Sequence, residues 1–464
     1  TITGAGAGNT ILDGGFPLPD QPVEARGLDR IFEIHPSAAN VTIERLTLQE
    51  GYTEEAGGAI QNWSPGLLRI DRVHLLDNLS AKEGGAITND DPFDYPWPTG
   101  LPPTAVIPSG DVEITNSKLA GNSAGSGGAA VHNASEGTVS IVDSEVVDNP
   151  GLMIPDPEQI IDPLDPEPIE YIPGPGVYDP TASALFNEGR FGEVGTIRVE
   201  ESTVSRNYAP TDGAGLHNDG DGTLEIVDST FEDNTSEGNG GAVYSNGGKV
   251  DVVESDFDHN LAHADGGAFY SNGASSSVGL RSEVTISKSS FDENEARAGA
   301  GAIHSDGDAE MFVTDVELTQ NDAVESAGGG MYVGGRSSLV MTNARFISNF
   351  GLDEGGGLFT ASERPVVIRD SRFQANATGL PGEVTGHDAG GGGIYTEGGP
   401  VEILDNTRIL DNTATAEGGG LSIDNHGQVH VSDTLVKGNK SSMDGGGVEN
   451  SGALVTFERV TVDQ

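Results

Sequence analysis

Residues 257–273, FDHNLAHADGGAFYSNG, place a Phe-x-x-Asn unit a few residues before a Gly-Gly-Ala-aromatic unit. The first unit recurs along the chain with Phe or an aliphatic residue at its first position, and its asparagines are mostly 26–28 residues apart. These asparagines are Asn78, Asn122, Asn149, Asn207, Asn234, Asn260, Asn294, Asn321, Asn349, Asn376, Asn412 and Asn439. The glycine unit recurs in step with them. A period of this length, kept over most of the chain, predicts a repeat architecture.

Between the two units run segments that alternate apolar and polar residues, such as KVDVVESDF at 249–257 and EVTISKSSF at 283–291. Period-two alternation rich in Val, Ile and Thr predicts a strand with one buried face. We therefore expect each repeat to run strand, turn, strand, turn. One such repeat cannot bury its own apolar face, so neighbouring repeats must stack. The predicted fold class is all-β: a single-stranded parallel β-helix, or solenoid, of roughly 15 coils that lie about 4.8 Å apart.

The repeated residues have structural roles in such a coil. We expect each asparagine to point inward at a turn and to hydrogen-bond the neighbouring coil, which forms a ladder that satisfies buried polar groups. The glycines permit positive φ and close backbone approach where the chain bends. The phenylalanines of the Phe-x-x-Asn units should stack inside the solenoid, and they are Phe231, Phe257, Phe291, Phe346 and Phe373.

Three insertions interrupt the one continuous solenoid that we predict over residues 1–464. Residues 90–110 carry six prolines, and residues 150–182 carry nine prolines and seven acidic residues without a Lys or Arg. Such compositions do not form sheet, so both segments are predicted to be extended loops on the surface. A shorter insertion spans 377–389. The last residues, VTFERVTVDQ, stop one residue before the expected asparagine, so we expect the natural chain to extend beyond residue 464.

The charge of the chain excludes several kinds of partner. Its 73 acidic and 23 basic residues give a formal net charge of −50, which repels nucleic acids and anionic membranes. Cysteine is absent, which excludes disulfide scaffolds, thiolate metal sites and cysteine nucleophiles. No run of apolar residues is long enough to cross a membrane. The acidity fits either a salt-rich or calcium-containing medium or an ordinary secreted surface kept soluble by its charge.

The pairing of Gly-Gly-Ala-Ile with Phe-x-x-Asn resembles the tandem motif of the chlamydial polymorphic outer-membrane protein passengers, over about residues 57–464. The start of the chain, TITGAGAGNTILDGG, is similar to a broader class of bacterial and archaeal secreted β-helix proteins that carry surface anchors. Both resemblances imply a right-handed parallel β-helix that is displayed outside the cell. They imply less about activity, since the same solenoid serves adhesins, structural surface proteins and polysaccharide lyases.

The sequence offers few residues for chemistry, and we identify no catalytic or cofactor-binding set. His132, His217 and His304 occupy equivalent strand positions in which Tyr also occurs, so we interpret them as ladder residues. Calcium is the cofactor that the sequence suggests, because carboxylates cluster in the turns NDGDG and SDGDA. The candidate ligands are Asp219, Asp221, Asp306 and Asp308. The alternative reading of both turns is Asp-Gly turn chemistry alone.

Seven Asn-x-Ser/Thr sequons occur, and four of them fall on predicted ladder positions, which should be inaccessible. Asn40, Asn62 and Asn133 are therefore the predicted sites of any attached glycan.

The function that these observations favour is a non-enzymatic extracellular scaffold for cell-surface display, attachment or self-assembly. Expected partners are cell-surface or matrix components, glycans among them, or further copies of the chain arranged end to end or side by side. The alternative is a polysaccharide lyase or glycoside hydrolase with a cleft beside the 90–110 and 150–182 loops. A groove that holds two or more carboxylates with an Arg or Lys within reach would favour the enzyme.

Overall fold

The computed structural model of the chain describes residues 1–15, 30–91, 110–151, 182–188, 194–273, 281–380, 389–424 and 428–463, and these contain strands, turns and bends without a helix. No described segment therefore forms a helix long and apolar enough to cross a membrane. The predicted insertions 90–110, 150–182 and 377–389 lie, apart from their outermost residues, outside the described residues.

The described strands form three long parallel sheets and a set of short strands, with each coil contributing one strand to each sheet in turn. The first sheet comprises Ile2–Thr3, Val41–Glu44, Leu68–Asp71, Val112–Thr115, Thr138–Val142, Thr196–Glu200, Thr223–Val227, Lys249–Val253, Ser282–Ser287, Ala309–Thr314, Ser338–Thr342, Val366–Arg369, Val401–Leu404, Gln428–Ser432 and Leu454–Glu458. The second sheet comprises Ile11–Asp13, Thr47–Gln49, His74–Leu76, Lys118–Ala120, Glu145–Val147, Thr203–Ser205, Thr230–Glu232, Asp256–Asp258, Ser290–Asp292, Glu317–Thr319, Arg345–Ile347, Arg372–Gln374, Arg408–Leu410, Leu435–Lys437 and Thr461–Asp463.

The third sheet begins after the glycine units. It comprises Phe32–Ile34, Ile60–Asn62, Ile87–Asn89, Val131–Asn133, Leu185–Glu188, Leu216–Asp219, Val243–Asn246, Phe269–Asn272, Ile303–Asp306, Met331–Val333, Leu358–Thr360, Ile394–Thr396, Leu421–Ile423 and Val448–Asn450. Two-residue strands lie between the second and third sheets, and they are Tyr52–Thr53, Leu79–Ser80, Ser123–Ala124, Tyr208–Ala209, Thr235–Ser236, Leu261–Ala262, Glu295–Ala296, Asp322–Ala323, Phe350–Gly351, Ala377–Thr378, Thr413–Ala414 and Lys440–Ser441.

The sheets confirm the predicted all-β solenoid. The first sheet has 15 described strands, all paired in parallel, which matches the expected number of coils. At about 4.8 Å per coil these strands extend over roughly 70 Å. The coils stack in register with the sequence repeat: Phe257 lies opposite Phe231 on one side and Phe291 on the other. The structure is therefore a parallel β-helix whose period is the period of the sequence motif.

Each coil has more strands than the sequence predicted. The alternating segment 249–257 was expected to be one strand, but the first-sheet strand ends at Val253 and the next begins at Asp256. Glu254 between them has φ 52°, a left-handed conformation that turns the chain. Ser255 fills the corner, where its hydroxyl donates to the carbonyl of Val253 at 2.9 Å. The alternation of apolar and polar residues does not reveal this bend, because Ser255 at the corner is buried like the inward residues of the two strands that it joins.

The double glycine of most repeats forms the tight corner before the third sheet. Gly266 has φ 68°, which L-residues with side chains rarely adopt. A Cβ atom on Gly267 would lie 2.0 Å from the carbonyl oxygen of Gly301 in the next coil. The first glycine therefore supplies the conformation and the second allows the coils to approach. After this corner the next strand joins the third sheet, and its inward apolar side chains, such as that of Phe269, lie in the common core.

Candidate functional site

The twelve predicted ladder asparagines form one continuous chain of hydrogen bonds in the interior. In each step the Nδ2 of one asparagine donates to the Oδ1 of the asparagine one coil further along, at 2.9–3.1 Å. All of these side chains are at most 9% exposed. The ladder thus links, through eleven successive bonds, residues as distant in sequence as Asn78 and Asn439.

Asn321 shows how completely a ladder amide is used. Its Oδ1 accepts from the backbone N–H and from the Nδ2 of Asn294, both at 3.0 Å. Its Nδ2 donates to Asn349 Oδ1 at 2.9 Å and to the carbonyl of Phe291 at 3.0 Å. An amide offers two donors and two acceptor lone pairs, so none is left for a ligand. The ladder asparagine therefore has a structural role.

A second asparagine ladder lies at the end of the third-sheet strands, and sequence reasoning missed it. Asn62 donates to Asn89 at 2.8 Å, Asn89 to Asn133 at 3.0 Å, Asn133 to Asn187 at 3.0 Å, and Asn187 to Asn218 at 2.8 Å. These residues are fully buried. The signal was present in the sequence, since four of the five follow the apolar residue after a glycine-containing corner by two positions, and Asn187 takes the same place after Ala182-Ser183-Ala184-Leu185.

This second ladder corrects the predicted glycan sites. Asn62 and Asn133 were expected to be accessible sequons, but both are 0% exposed because their amides bond to neighbouring coils. Asn40 is exposed, and its Oδ1 accepts from the backbone N–H of Leu67 at 3.0 Å. Asn40 is therefore the accessible member of the three.

The five predicted stacking phenylalanines are all fully buried. Phe257 stacks between Phe231 and Phe291, with ring centroids 5.1 Å and 4.7 Å away and nearly parallel planes. Phe346 and Phe373 form a separate pair at 4.6 Å. Leu318 lies between the two groups in the ladder and separates them. The rings fill the core of consecutive coils.

The three histidines belong to a second aromatic ladder, on the outer face of the third sheet. Nine rings follow one another in consecutive coils at centroid distances of 4.3–5.4 Å, and they are His132, Phe186, His217, Tyr244, Tyr270, His304, Tyr332, Phe359 and Tyr395. Burial lowers the pKa of His304 and raises the pKa of Tyr244 to about 12. Ring faces in this ladder are covered by neighbouring rings, which favours a structural role.

The four candidate calcium ligands do not come together in one site. Asp219 and Asp306 occupy the same position of third-sheet strands three coils apart, which is about 14 Å at the usual coil spacing. Asp219 Oδ1 accepts from the backbone N–H of Gly220 at 3.0 Å, and Asp306 Oδ1 accepts from Gly307 at 2.8 Å. Both bonds are those of Asp-Gly turns. Asp221 lies in the same turn as Asp219.

Asp308 has a different environment from the other three. Its carboxylate forms ion pairs with Arg364 at 3.1 Å, Arg281 at 3.5 Å and Arg336 at 3.8 Å. Three guanidinium groups around one carboxylate compete with a cation for its oxygens. Among the described residues no three His, Cys, Asp or Glu side chains are grouped so that they could hold a metal ion. Calcium binding at these turns stays a prediction.

A pocket of about 550 Å³ opens on the outer face of the third sheet in the first coils. Its walls carry four carboxylates and two cations, and they are Glu33, Glu55, Glu83, Asp90, Arg30 and Lys82. Arg30 lies 3.8 Å from Glu33, and Lys82 is paired with Glu55. The guanidinium carbon of Arg30 lies 5.8 Å from the centre of the Trp63 ring, within the range of a cation–π contact. The pocket thus combines carboxylates, cations and an aromatic ring in one groove.

The same pocket contains two nearly buried polar side chains, Gln61 and His132. Both belong to the column of outward positions that carries the aromatic ladder further along. The sequence singled out none of the lining residues except His132, because they come from four different coils and share no motif. The enzyme alternative expected a cleft beside the 90–110 and 150–182 segments; of their described residues, Asp90 lines this pocket.

Comparison with models of protein families gives matches to the right-handed beta helix region at residues 213–399 and 275–463, which together cover more than half of the chain. No curated protein and no solved structure matches the chain. The matched model describes the β-helix as such, so the finer resemblance to chlamydial passengers stays a prediction. From this match, together with the stacked parallel sheets, we conclude that the chain belongs to the right-handed β-helix family.

Proposed function

We propose that the protein is a non-enzymatic extracellular scaffold, a stiff rod that serves cell-surface display, attachment or self-assembly. The observation that supports this role is the asparagine ladder, which ties together the coils from Asn78 to Asn439. From Asn78 to Asn439 the described coils are joined both by backbone pairing and by buried amides, so bending this part of the rod would strain buried hydrogen bonds.

The surface of the rod suits attachment through many weak contacts. Outward side chains of equivalent positions recur about every 4.8 Å along each sheet. A partner with a repeating structure, such as a glycan or a second copy of the rod, would meet the same kind of side chain several times. Several weak contacts along one rod then add to a strong attachment. The net charge of −50 favours neutral or basic partners over acidic ones.

Electron microscopy of the native material tests the scaffold. Rods, filaments or layers at the cell surface are the expected result. An exclusively intracellular location would contradict the proposal. Binding of labelled chain to whole cells and to extracted matrix, with a glycan array beside it, identifies the class of partner.

The pocket around Arg30 and Lys82 favours a second candidate function, a polysaccharide lyase or glycoside hydrolase. General acid–base chemistry needs carboxylates and a cation in one cleft, and the pocket provides Glu33, Glu55 and Glu83 beside these two cations. Screening of the chain against neutral, basic and acidic polysaccharides, with release of reducing ends or unsaturated products as the readout, tests this candidate. Activity that is lost in the Glu83→Gln variant would assign the chemistry to this pocket.

Calcium is the proposed cofactor for the Asp-Gly turns at Asp219 and Asp306. If it binds there, millimolar calcium raises the melting temperature and EDTA reverses the rise, because a ligand that binds only the folded state stabilises it. An unchanged melting temperature would remove calcium from the proposal.

A further inference from the structure

The outer face of the second sheet carries a row of arginines. Arg345, Arg372 and Arg408 are paired side by side in consecutive strands, so they follow one another about every 4.8 Å. The other outward residues of these strands are uncharged, and they are Ile347, Gln374 and Leu410. We call the strands Arg345–Ile347, Arg372–Gln374 and Arg408–Leu410 the basic strip. Its sheet face is wholly positive in a chain with 73 acidic and 23 basic residues.

Two of these arginines have no carboxylate partner. Arg408 is exposed and Arg372 is partly exposed, and neither forms an ion pair with any residue that the structure describes. Asp370 and Asp411 occupy the corners beside the basic strip, yet in the described ranges they are not paired with it either. Two positive charges of the basic strip are therefore open to a partner.

The same face of the second sheet carries a row of carboxylates, separated from the basic strip by the single strand Glu317–Thr319. We call the strands Thr230–Glu232, Asp256–Asp258 and Ser290–Asp292 the acidic strip. Its outward residues include no cation and four carboxylates, and these are Glu232, Asp256, Asp258 and Asp292.

The carboxylates of the acidic strip are incompletely neutralised within the chain. His259, at the corner beside the strip, contacts Asp258 at 2.7 Å and Glu293 at 2.8 Å. Glu232 and Asp292 form no ion pair with a described residue. Burial and the neighbouring Asp258 carboxylate raise the pKa of Asp292, so like charges in the strip oppose its ionisation. A cation supplied by a partner would relieve this repulsion.

The order of the two strips fits a two-fold axis. Strand Glu317–Thr319 has the three acidic strands on one side and the three basic strands on the other. If a second copy lies face to face and antiparallel, with the axis along this central strand, every basic strand meets an acidic one. Glu317 is paired with Arg345 at 3.1 Å, so the centre stays close to neutral. The facing strands would be those of Arg345 and Asp292, of Arg372 and Asp258, and of Arg408 and Glu232.

We propose that two copies of the chain associate side by side and antiparallel through this face, with the basic strip of each on the acidic strip of the other. Every contact then occurs twice, because a two-fold interface is self-complementary. The charges of the two strips match in spacing, since both follow the coil repeat of about 4.8 Å. The inference rests on the proposed scaffold function, and it names the surface through which the rods assemble.

The size of the face indicates a reversible contact. Seven strands with their corners cover an area about 34 Å long and about 20 Å wide. This gives roughly 700 Å² per copy, a little below the roughly 800 Å² of a standard protein interface. We therefore expect a dimer that forms and dissociates in the micromolar range.

The net charge of −50 on each copy does not prevent this contact. At an ionic strength of about 0.15 M the Debye length is about 8 Å, so charges spread along two rods are largely screened from each other. Opposite charges in direct contact, with water partly excluded, are screened much less. The local match therefore outweighs the repulsion between the rods.

Analytical ultracentrifugation of the full chain at about 0.15 M NaCl, over the micromolar concentration range, tests the proposal. The parent chain should form a concentration-dependent dimer. Two double variants should each weaken it at least tenfold, because like charges then face each other at both ends. They are Arg372→Glu with Arg408→Glu, and Glu232→Lys with Asp258→Lys. Unchanged melting curves show that the variants are folded.

A matched control separates the face from the total charge. Arg69 and Arg72 lie on and beside the outer face of the first sheet, far from the seven strands. Arg69→Glu with Arg72→Glu changes the net charge as much as the double arginine variant does. This control should leave dimerisation unchanged, and an equal loss in the control would overturn the assignment to the second sheet.

Mixing the two double variants gives the most specific test. The new carboxylates of one meet the new ammonium groups of the other, and the unaltered strips also meet. The mixture should therefore form a heterodimer although neither variant forms a homodimer. A parent chain that stays monomeric, dimerisation that both variants leave intact, or a mixture without heterodimer would overturn the proposal. Heparin bound through Arg372 and Arg408 by a monomeric chain would also overturn it, and would assign the basic strip to an acidic glycan.

Failure of this proposal is distinguishable from failure of the scaffold. Single rods can be displayed or can attach without forming dimers, so a monomeric chain leaves the electron-microscopy test of location standing. An intracellular location would contradict the scaffold whether or not the chain forms dimers.

Discussion

Replacement of Asn321 by alanine is the sharpest test of the ladder. The variant loses four hydrogen bonds: two from Asn294 to Oδ1, and two from Nδ2 to Asn349 and to the carbonyl of Phe291. A net contribution of about 1 kcal/mol for each bond gives a destabilisation of about 4 kcal/mol. The N–H of Asn294 loses the acceptor that the structure gives it, and it lies too deep for bulk water to replace that acceptor.

The assay combines guanidinium denaturation with hydrogen exchange. Stability in a stacked repeat is a sum over coils and their interfaces, so the damage should be concentrated near the substituted coil. Amide protection in a peptide that contains Asn294 and Asn321 should fall well below that of the parent chain. A peptide around Asn78, many coils away, should exchange as before.

Thr314→Ala is the matched control, because Thr314 is exposed on the outer face of the first sheet in a neighbouring strand. Its loss should change the free energy of unfolding by no more than about 0.5 kcal/mol. If Asn321→Ala costs no more than this control, the ladder amide does not hold the coils together and the argument from buried hydrogen bonds is wrong.

Three further outcomes follow from the packing. Phe257→Ala should cost about 3–5 kcal/mol by denaturation, since it removes a buried ring between two others, whereas Phe312→Ala on the exposed face should cost far less. Burial raises the pKa of Asp322 to about 6, so the folded state holds this proton more tightly than the unfolded chain, and the free energy of unfolding should decline as pH rises from about 4 to 6. An NMR titration should show this carboxyl titrating near pH 6, and titration near pH 4 would contradict the prediction. In a glycosylating host, peptide mapping should find any sugar at Asn40 and none at Asn62, whose modification would contradict the buried ladder.

The interior of the solenoid could be predicted from sequence because one physical requirement repeats in every coil. Most buried turns use the same amide, a corner glycine and a similar apolar side chain, so the spacing of Asn260 and its equivalents reveals the coil. The bends between strands are harder to predict from the sequence. Left-handed corner positions such as Glu254 are occupied by many residue types, because the side chain points to solvent and only the backbone conformation is selected.

The second ladder shows how a local motif can mislead. Asn62 and Asn133 lie in sequons, and a sequon suggests an accessible side chain. Their position in the repeat carried the opposite information, since the equivalent residues of the neighbouring coils, such as Asn89, Asn187 and Asn218, are all buried. Periodicity was the stronger signal, because it indicates whether the side chain is buried. A sequon indicates only that a glycosylating enzyme could recognise the three residues.

The pocket arises where a periodic feature stops. From His132 to Tyr395 aromatic rings fill one outward column of the third sheet, and each ring covers the next. In the two preceding coils the same column carries Thr88 and Gln61, which are smaller or polar. The face of the third sheet is therefore open beside the first ring, and the carboxylates of neighbouring turns surround the opening. A repeat specifies the coil that it builds, so distinct chemistry has to come from the positions where the repeat changes. Such a site leaves no motif in the sequence, and only the stacking of the coils brings its residues together.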